Sequence, residues 1–132
     1  QALDHVYGYA VGLDMTRRDL QNKAKDMGRP WEVGKAFELS APMTAIHSAV
    51  KIGHPAKGAI WLKVNGAVKQ QGDLSDLIWN VPDTIAYLST LFRLAPGDLI
   101  MTGTPAGVAA VKKGDVMEGH VDGVADLRVV VV

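Results

Sequence analysis

Between Gly12 and Gln21 the chain reads Gly-Leu-Asp-Met-Thr-Arg-Arg-Asp-Leu-Gln, and Gly34-Lys35-Ala36-Phe37 follows shortly after. These residue types are complementary to one anionic ligand. Asp14 offers a hard carboxylate oxygen of the kind that Mg²⁺ or Mn²⁺ prefers. Arg18 and Lys35 are cations and Gln21 is an amide donor, suited to oxygens on which negative charge develops. A second chemically loaded segment, Gly103-Thr104-Pro105-Ala106-Gly107, reads as a tight loop whose backbone N–H groups could face an anion. It is too short for a phosphate-binding P-loop and lacks the Gly-Lys-Ser/Thr ending, which disfavours nucleotide binding.

Plainer readings compete with each of these. A lone aspartate at a strand end is more often a helix or turn cap than a ligand, and an isolated Lys35 is equally an ordinary surface lysine. Asp19 reads as a structural partner for a short helix or for an arginine, and Arg17 as exposed. His5, His47, His54 and His120 lack metal-ligand spacing and read as structural. Trp31, Trp61 and Trp79 read as core or interface residues rather than a stacking platform.

The elements that must position these residues follow from periodicity. Val6 to Leu13 is apolar with interspersed glycine and predicts a buried strand that leaves Asp14 at its C-terminal end. Thr16, with Asp19 three residues on, resembles a capping box for a helix over Arg17 to Met27, stopped by Gly28 and Pro30. On that helix Arg18 and Gln21 share a face. Gly34 to Ile46 predicts a strand and then an irregular connection through Gly53, His54, Pro55 and Gly58. Ala59 to Gln70 alternates and turns at Asn65-Gly66, a type I′ hairpin signal. Pro82 to Phe92 predicts a helix packed on the sheet. Ala95 to Asp98 is a turn, Leu99 to Thr102 a strand, and Val116 to Val121 with Leu127 to Val132 a closing antiparallel pair.

Composition bounds the partners. A chain of 132 residues that is 48% hydrophobic and 21% charged has the profile of a soluble single domain with its own core. Lys+Arg and Asp+Glu are both 14, and without a basic block neither nucleic acid nor an anionic membrane is an expected partner. Small molecules or other subunits are. The absence of cysteine removes disulfides, thiolate metal sites and a cysteine nucleophile, and fits a cytoplasmic location. No window approaches the roughly 20 apolar residues of a membrane helix.

Taken in order, Gly8 to Gln21, Gly28-Arg29-Pro30-Trp31, Gly34-Lys35-Ala36-Phe37, Leu62-Lys63-Val64-Asn65-Gly66 and Gly97 to Val108 resemble the fumarylacetoacetate hydrolase family, especially its acylpyruvate and fumarylpyruvate hydrolase branch. The resemblance implies an α+β fold, mixed and mainly a β-roll with a few short helices, usually a homodimer. It implies an enzyme that binds Mg²⁺ or Mn²⁺ through three carboxylates and hydrolyses a C–C bond in a 2,4-diketo acid, fumarylpyruvate first, releasing pyruvate. Related members decarboxylate, hydrate or isomerise similar keto acids, so an oxaloacetate decarboxylase or keto-acid isomerase is the alternative. Residue by residue it carries metal binding to Asp14, the surroundings of the reacting carbonyl to Arg18, Gln21 and Lys35, and the substrate carboxylate to Thr104 with Gly103.

The chain departs from the family pattern in two ways. Ala109-Ala110 stands where the family continues with glycine and proline. No Glu-x-Glu occurs anywhere, nor the family's catalytic histidine and glutamate pair. Together with Gln1 as first residue, this leads us to expect that residues 1–132 are the C-terminal portion of a single catalytic domain. By themselves they would then be a noncatalytic, dimer-forming unit.

Overall fold

The computed structural model describes residues 1–132. Its element order is a 3₁₀ turn at Ala2–His5, β1 (Gly8–Tyr9), α1 (Arg18–Asp26), α2 (Glu32–Lys35), β2 (His47–Ser48), α3 (Ala49–Ile52), β3 (Ala59–Val64), β4 (Ala67–Asp73), a second 3₁₀ turn at Leu74–Asp76, α4 (Val81–Leu91), β5 (Val116–Val121) and β6 (Ala125–Val130). This is an α+β fold with short helices and antiparallel sheets. The main sheet has the order β4-β3-β5-β6, and β1 with β2 forms a separate two-stranded ladder.

The hairpin forms as its sequence dictates. Asn65 and Gly66 both take positive φ, 51° and 81°, which a type I′ turn requires at its two central residues. Asn65 also ties the turn to β5: its amide nitrogen donates to Asp115 Oδ1 at 2.9 Å, and its oxygen accepts the Val116 N–H at 2.9 Å. The amide donated by Asn65, then the Lys112 N–H, hold the Asp115 carboxyl below the usual carboxylate range. Val64, Met117 and Leu127 are buried on one face of the sheet, where Gly119 leaves room for Val11 and Leu13 to lie over it.

Pairing within β3 and β4 is not uniform. Val64 opposes Ala67 and Lys63 opposes Val68, but Leu62 opposes Gln70, so Lys69 is an extra residue forming a β-bulge. Directly opposed residues share a face, so the bulge puts Gln70 on the buried Leu62 and Val64 face.

Four expectations fail. Only Gly8–Tyr9 of the predicted Val6 to Leu13 strand forms a ladder, and beyond it Gly12 makes an isolated bridge to Met43. Pro42 has no N–H to return a ladder bond, although its carbonyl accepts from Leu13 and that of Ser40 from Met15. The predicted strand at Gly34 to Ile46 instead opens in α2 and runs irregularly, and Leu99 to Thr102 forms no ladder. The helix α4 starts as predicted, with Asn80 Oδ1 capping the Asp83 N–H at 2.8 Å and Pro82 in the first turn. It packs chiefly on the Ala2–His5 turn rather than on the sheet, and none of its residues is buried.

The polar face of the sheet carries a charged cluster. His120 stacks on Trp61 with ring centroids 5.0 Å apart, and its two ring nitrogens meet Asp122 Oδ1 at 2.8 Å and Asp126 Oδ1 at 2.6 Å. Hydrogen bonds to Asp122, then Asp126, raise the imidazole above its ordinary 6.5, and His120 with the Ala59 N–H lowers Asp122. The raised His120 stabilises the fold fully below the ordinary histidine range, and that contribution disappears as pH rises through the raised value. The lowered Asp122 contributes above the ordinary carboxylate range and is lost as pH falls. We therefore expect the urea midpoint to fall on going from neutral to alkaline pH, and His120→Gln to flatten that limb; equal slopes in the two proteins would refute the coupling.

Candidate active site

The sheet's apolar face, the Tyr9 to Asp19 segment and the loop around Gly103 enclose a cavity of about 890 Å³. It is the size of a small-molecule site and mixes apolar walls with a few converging polar groups. Of the predicted residues, Asp14, Arg18, Lys35, Gly103 and Thr104 all line it, although they come from three separate segments. Gln21 does not.

The Asp14 wall is built by α1 and α2. Lys35, at the end of α2, places its Nζ 2.7 Å from Asp14 Oδ2 and donates to Thr16 Oγ1 at 2.9 Å. The pair is partly solvated, with the two side chains 32% and 46% exposed, so its value lies in orientation, since such pairs are worth about 0–1 kcal/mol. Thr16 was expected to cap α1, but Arg17 holds that position and no side-chain capping bond forms. The Thr16 hydroxyl accepts from Lys35 instead.

At the start of α1, Arg18 Nη1 donates across the first turn to Gln21 Oε1 at 2.5 Å. Gln21 is buried, so its amide aims the guanidinium from beneath the cavity wall. Asp19 lies in the first turn of α1, where the helix dipole favours a negative charge, and makes no ion pair. Arg17 is exposed as expected, its guanidinium 4.3 Å from the Phe37 ring centre.

The loop wall depends on two contacts that sequence reasoning missed. Gln70 Nε2 donates to Thr104 Oγ1 at 2.7 Å and to the Pro105 carbonyl at 2.6 Å. Gly107, at φ 99°, packs so closely on the Lys69 carbonyl that any Cβ would overlap it. The available signal was a glutamine breaking the strand's alternation. A third missed contact is at Gly34, whose Cβ would meet Gln21 N at 3.1 Å and Arg17 O at 3.2 Å, closer than side chains ordinarily pack, so glycine lets α2 sit tightly on α1.

The lining charges are cationic in excess: Arg17, Arg18, Lys35 and Lys69 against Asp14 and Asp19. An anionic ligand fits that balance. Asp14 keeps one carboxylate oxygen, Oδ1, free of hydrogen bonds within the chain, while Oδ2 accepts from Lys35. No group of three His, Cys, Asp or Glu side chains is arranged to hold a metal ion, so these residues alone do not complete a cation site. A more open depression of about 530 Å³ lies by Asp73 and Asp122, whose carboxylates are already committed to Ser75, Gly58, Ala59 and His120.

The sequence pattern described as fumarylacetoacetate (FAA) hydrolase C-terminal matches residues 1–132. The chain belongs to this family. It is 50% identical over 131 residues to a fumarylpyruvate hydrolase from a Ralstonia species, covering 99% of this chain and 68% of that one. It is 46% identical over 127 residues to the mitochondrial oxaloacetate tautomerase of Rattus norvegicus, covering 96% and 58%. The crystal structure of fumarylpyruvate hydrolase from Pseudomonas aeruginosa in complex with Mn²⁺ and pyruvate superposes with a TM-score of 0.98 at 55% identity, covering all of this chain and 57% of that one. The chain thus spans just under three fifths of the length of several of its relatives.

The contact at Gly34 yields a test. Overpacking a close backbone contact costs about 1–3 kcal/mol, and here it would shift the helix that carries Lys35. Gly34→Val is expected to lower Tm and to lower turnover more than stability loss accounts for; a variant with unchanged Tm and activity would show that α2 is free to move.

Proposed function

We propose that residues 1–132 are the C-terminal part of one catalytic domain, which hydrolyses the C–C bond of a 2,4-diketo acid, with fumarylpyruvate the leading substrate, as a homodimer. The observation that carries the reading is the convergence of Asp14, Arg18, Lys35 and Thr104 on one cationic cavity. The near-superposition on a relative crystallised with Mn²⁺ and pyruvate supports it.

In this reading Asp14 supplies one ligand to Mg²⁺ or Mn²⁺, the other carboxylates coming from outside these residues. When bound, such a cation acts as a Lewis acid towards a chelating keto acid. Water adds at C4, the C3–C4 bond breaks, and its electron pair passes to C3 as the enolate of pyruvate, which is then protonated. Lys35 and Arg18 face the oxygen that becomes negative on water addition, and Gln21 holds Arg18 in place. Thr104 and the Gly103 backbone receive the substrate carboxylate.

A second reading is favoured by the rat relative: keto–enol isomerisation of oxaloacetate, or its decarboxylation, would use the same carboxylate grip and enolate stabilisation. Assaying the full-length protein on fumarylpyruvate and oxaloacetate separates them, and activity on oxaloacetate alone overturns the first. Should residues 1–132 by themselves be a noncatalytic, dimer-forming unit, calorimetric titration of the 132-residue chain with Mg²⁺ will show weak binding at best.

Loss of one donor to a developing oxyanion costs about two to three orders of magnitude in turnover. Lys35→Ala is expected to fall in that range, and Gln21→Ala likewise through the loss of Arg18 alignment; turnover near that of the parent in either would remove that residue from the reaction. Chelation with EDTA is expected to abolish activity, and Mn²⁺ or Mg²⁺ to restore it in the parent but not in Asp14→Asn. Restoration in that variant would remove Asp14 from the metal site.

A further inference from the structure

The loop that carries Thr104 has no regular structure of its own, and three residues of β4 hold it. Gly107 rests on the Lys69 carbonyl, the Pro105 ring lies against Gly72, and Gln70 reaches between them with both of its amide hydrogens. Gln70 is 8% exposed, in a strand whose neighbours Lys69 and Gln71 are both exposed. A buried glutamine costs stability unless its polar atoms are satisfied, so its position here calls for a function.

The orientation of the amide is settled by chemistry. The Pro105 carbonyl can only accept, so the group 2.6 Å from it must be Nε2. The same nitrogen lies 2.7 Å from Thr104 Oγ1, which must therefore accept its second hydrogen. A hydroxyl that accepts from a fixed donor still has its own proton to give. The Thr104 proton is thereby turned away from β4, and Thr104 lines the cavity.

We propose that Gln70 is a positioning residue that fixes the Thr104 hydroxyl as a hydrogen-bond donor to the carboxylate of the bound keto acid. The inference rests on the keto-acid reading of the cavity. It makes β4, rather than the loop itself, the element that sets the affinity for the carboxylate end of the substrate.

The test is a double-mutant cycle in the full-length protein, with pyruvate binding measured calorimetrically in the presence of Mn²⁺ and with KM and kcat measured on fumarylpyruvate. Losing a hydrogen bond to a charged group costs roughly tenfold or more in affinity. Gln70→Leu and Thr104→Val are each expected to raise the pyruvate Kd and the KM about tenfold, with kcat far less affected. The two together should be no worse than Thr104→Val alone. Gln70→Glu supplies a second variant: its carboxylate would accept the Thr104 proton, so binding should be weaker than in Gln70→Leu at neutral pH and recover as the glutamate protonates. Tm, followed in each variant, separates loss of fold from loss of alignment. If Thr104→Val weakens pyruvate binding while Gln70→Leu leaves it unchanged, or if Gln70→Leu weakens it equally in the Thr104→Val background, the inference is overturned and the keto-acid reading survives. If the parent protein neither binds pyruvate nor turns over a keto acid, both are overturned.

Discussion

The contact on which the cavity depends is the lysine ammonium of Lys35 held between the Asp14 carboxylate and the Thr16 hydroxyl. It joins the segment leaving β1 to the end of α2, across the α1 helix that lies between them in the chain. Each partner keeps something in reserve. Asp14 retains one oxygen free of hydrogen bonds, and Lys35 keeps a third N–H beyond the two it has committed. A cation and an anion that are paired yet incompletely satisfied can accept an anionic ligand without a large rearrangement. The pair's energetic weakness in partial solvent suits that purpose, since a tightly buried pair would resist opening.

Behind that contact stands close packing of backbone rather than of side chains. Gly34 lets α2 settle on α1, and Gly107 lets the Thr104 loop settle on β4. Ten of the 132 residues are buried, and none of the large side chains is fully enclosed. The cavity walls therefore owe their geometry to turns, bridges and side-chain hydrogen bonds more than to a deep hydrophobic core. Large apolar groups such as Ile78, Val50 and Phe92 are left exposed.

Where local chemistry dominates, the sequence was legible. The α1 helix, its stop at Gly28, the Asn65-Gly66 turn, Pro82 in the first turn of α4 and the β5–β6 pair follow from neighbours in the chain. The stretch from Gly34 to Ile46 did not, because a run of small apolar residues fits a strand as well as a coil, and Pro42 interrupts its ladder only once the partner segment is known. The α4 helix was legible as an element but not in its packing, since its apolar positions do not say which surface they meet. Five of the six predicted site residues line the cavity, a grouping read from family resemblance rather than from spacing. Thr16 and Gln70 escaped because each has a local reading, a cap and a strand surface residue, that is reasonable until the tertiary partner is seen.

The single extra residue in β4 has a consequence for how this hairpin can vary. Counting back from the turn without Lys69 as a bulge would put that lysine beside Leu62 and Gln70 beside Trp61, on the polar side. The arm therefore obeys a rule of parity. Residues between Gly66 and Gln70 can change type with little effect on which wall of the cavity Gln70 reaches, but their number cannot change by one, because an odd change exchanges the two faces of everything beyond it.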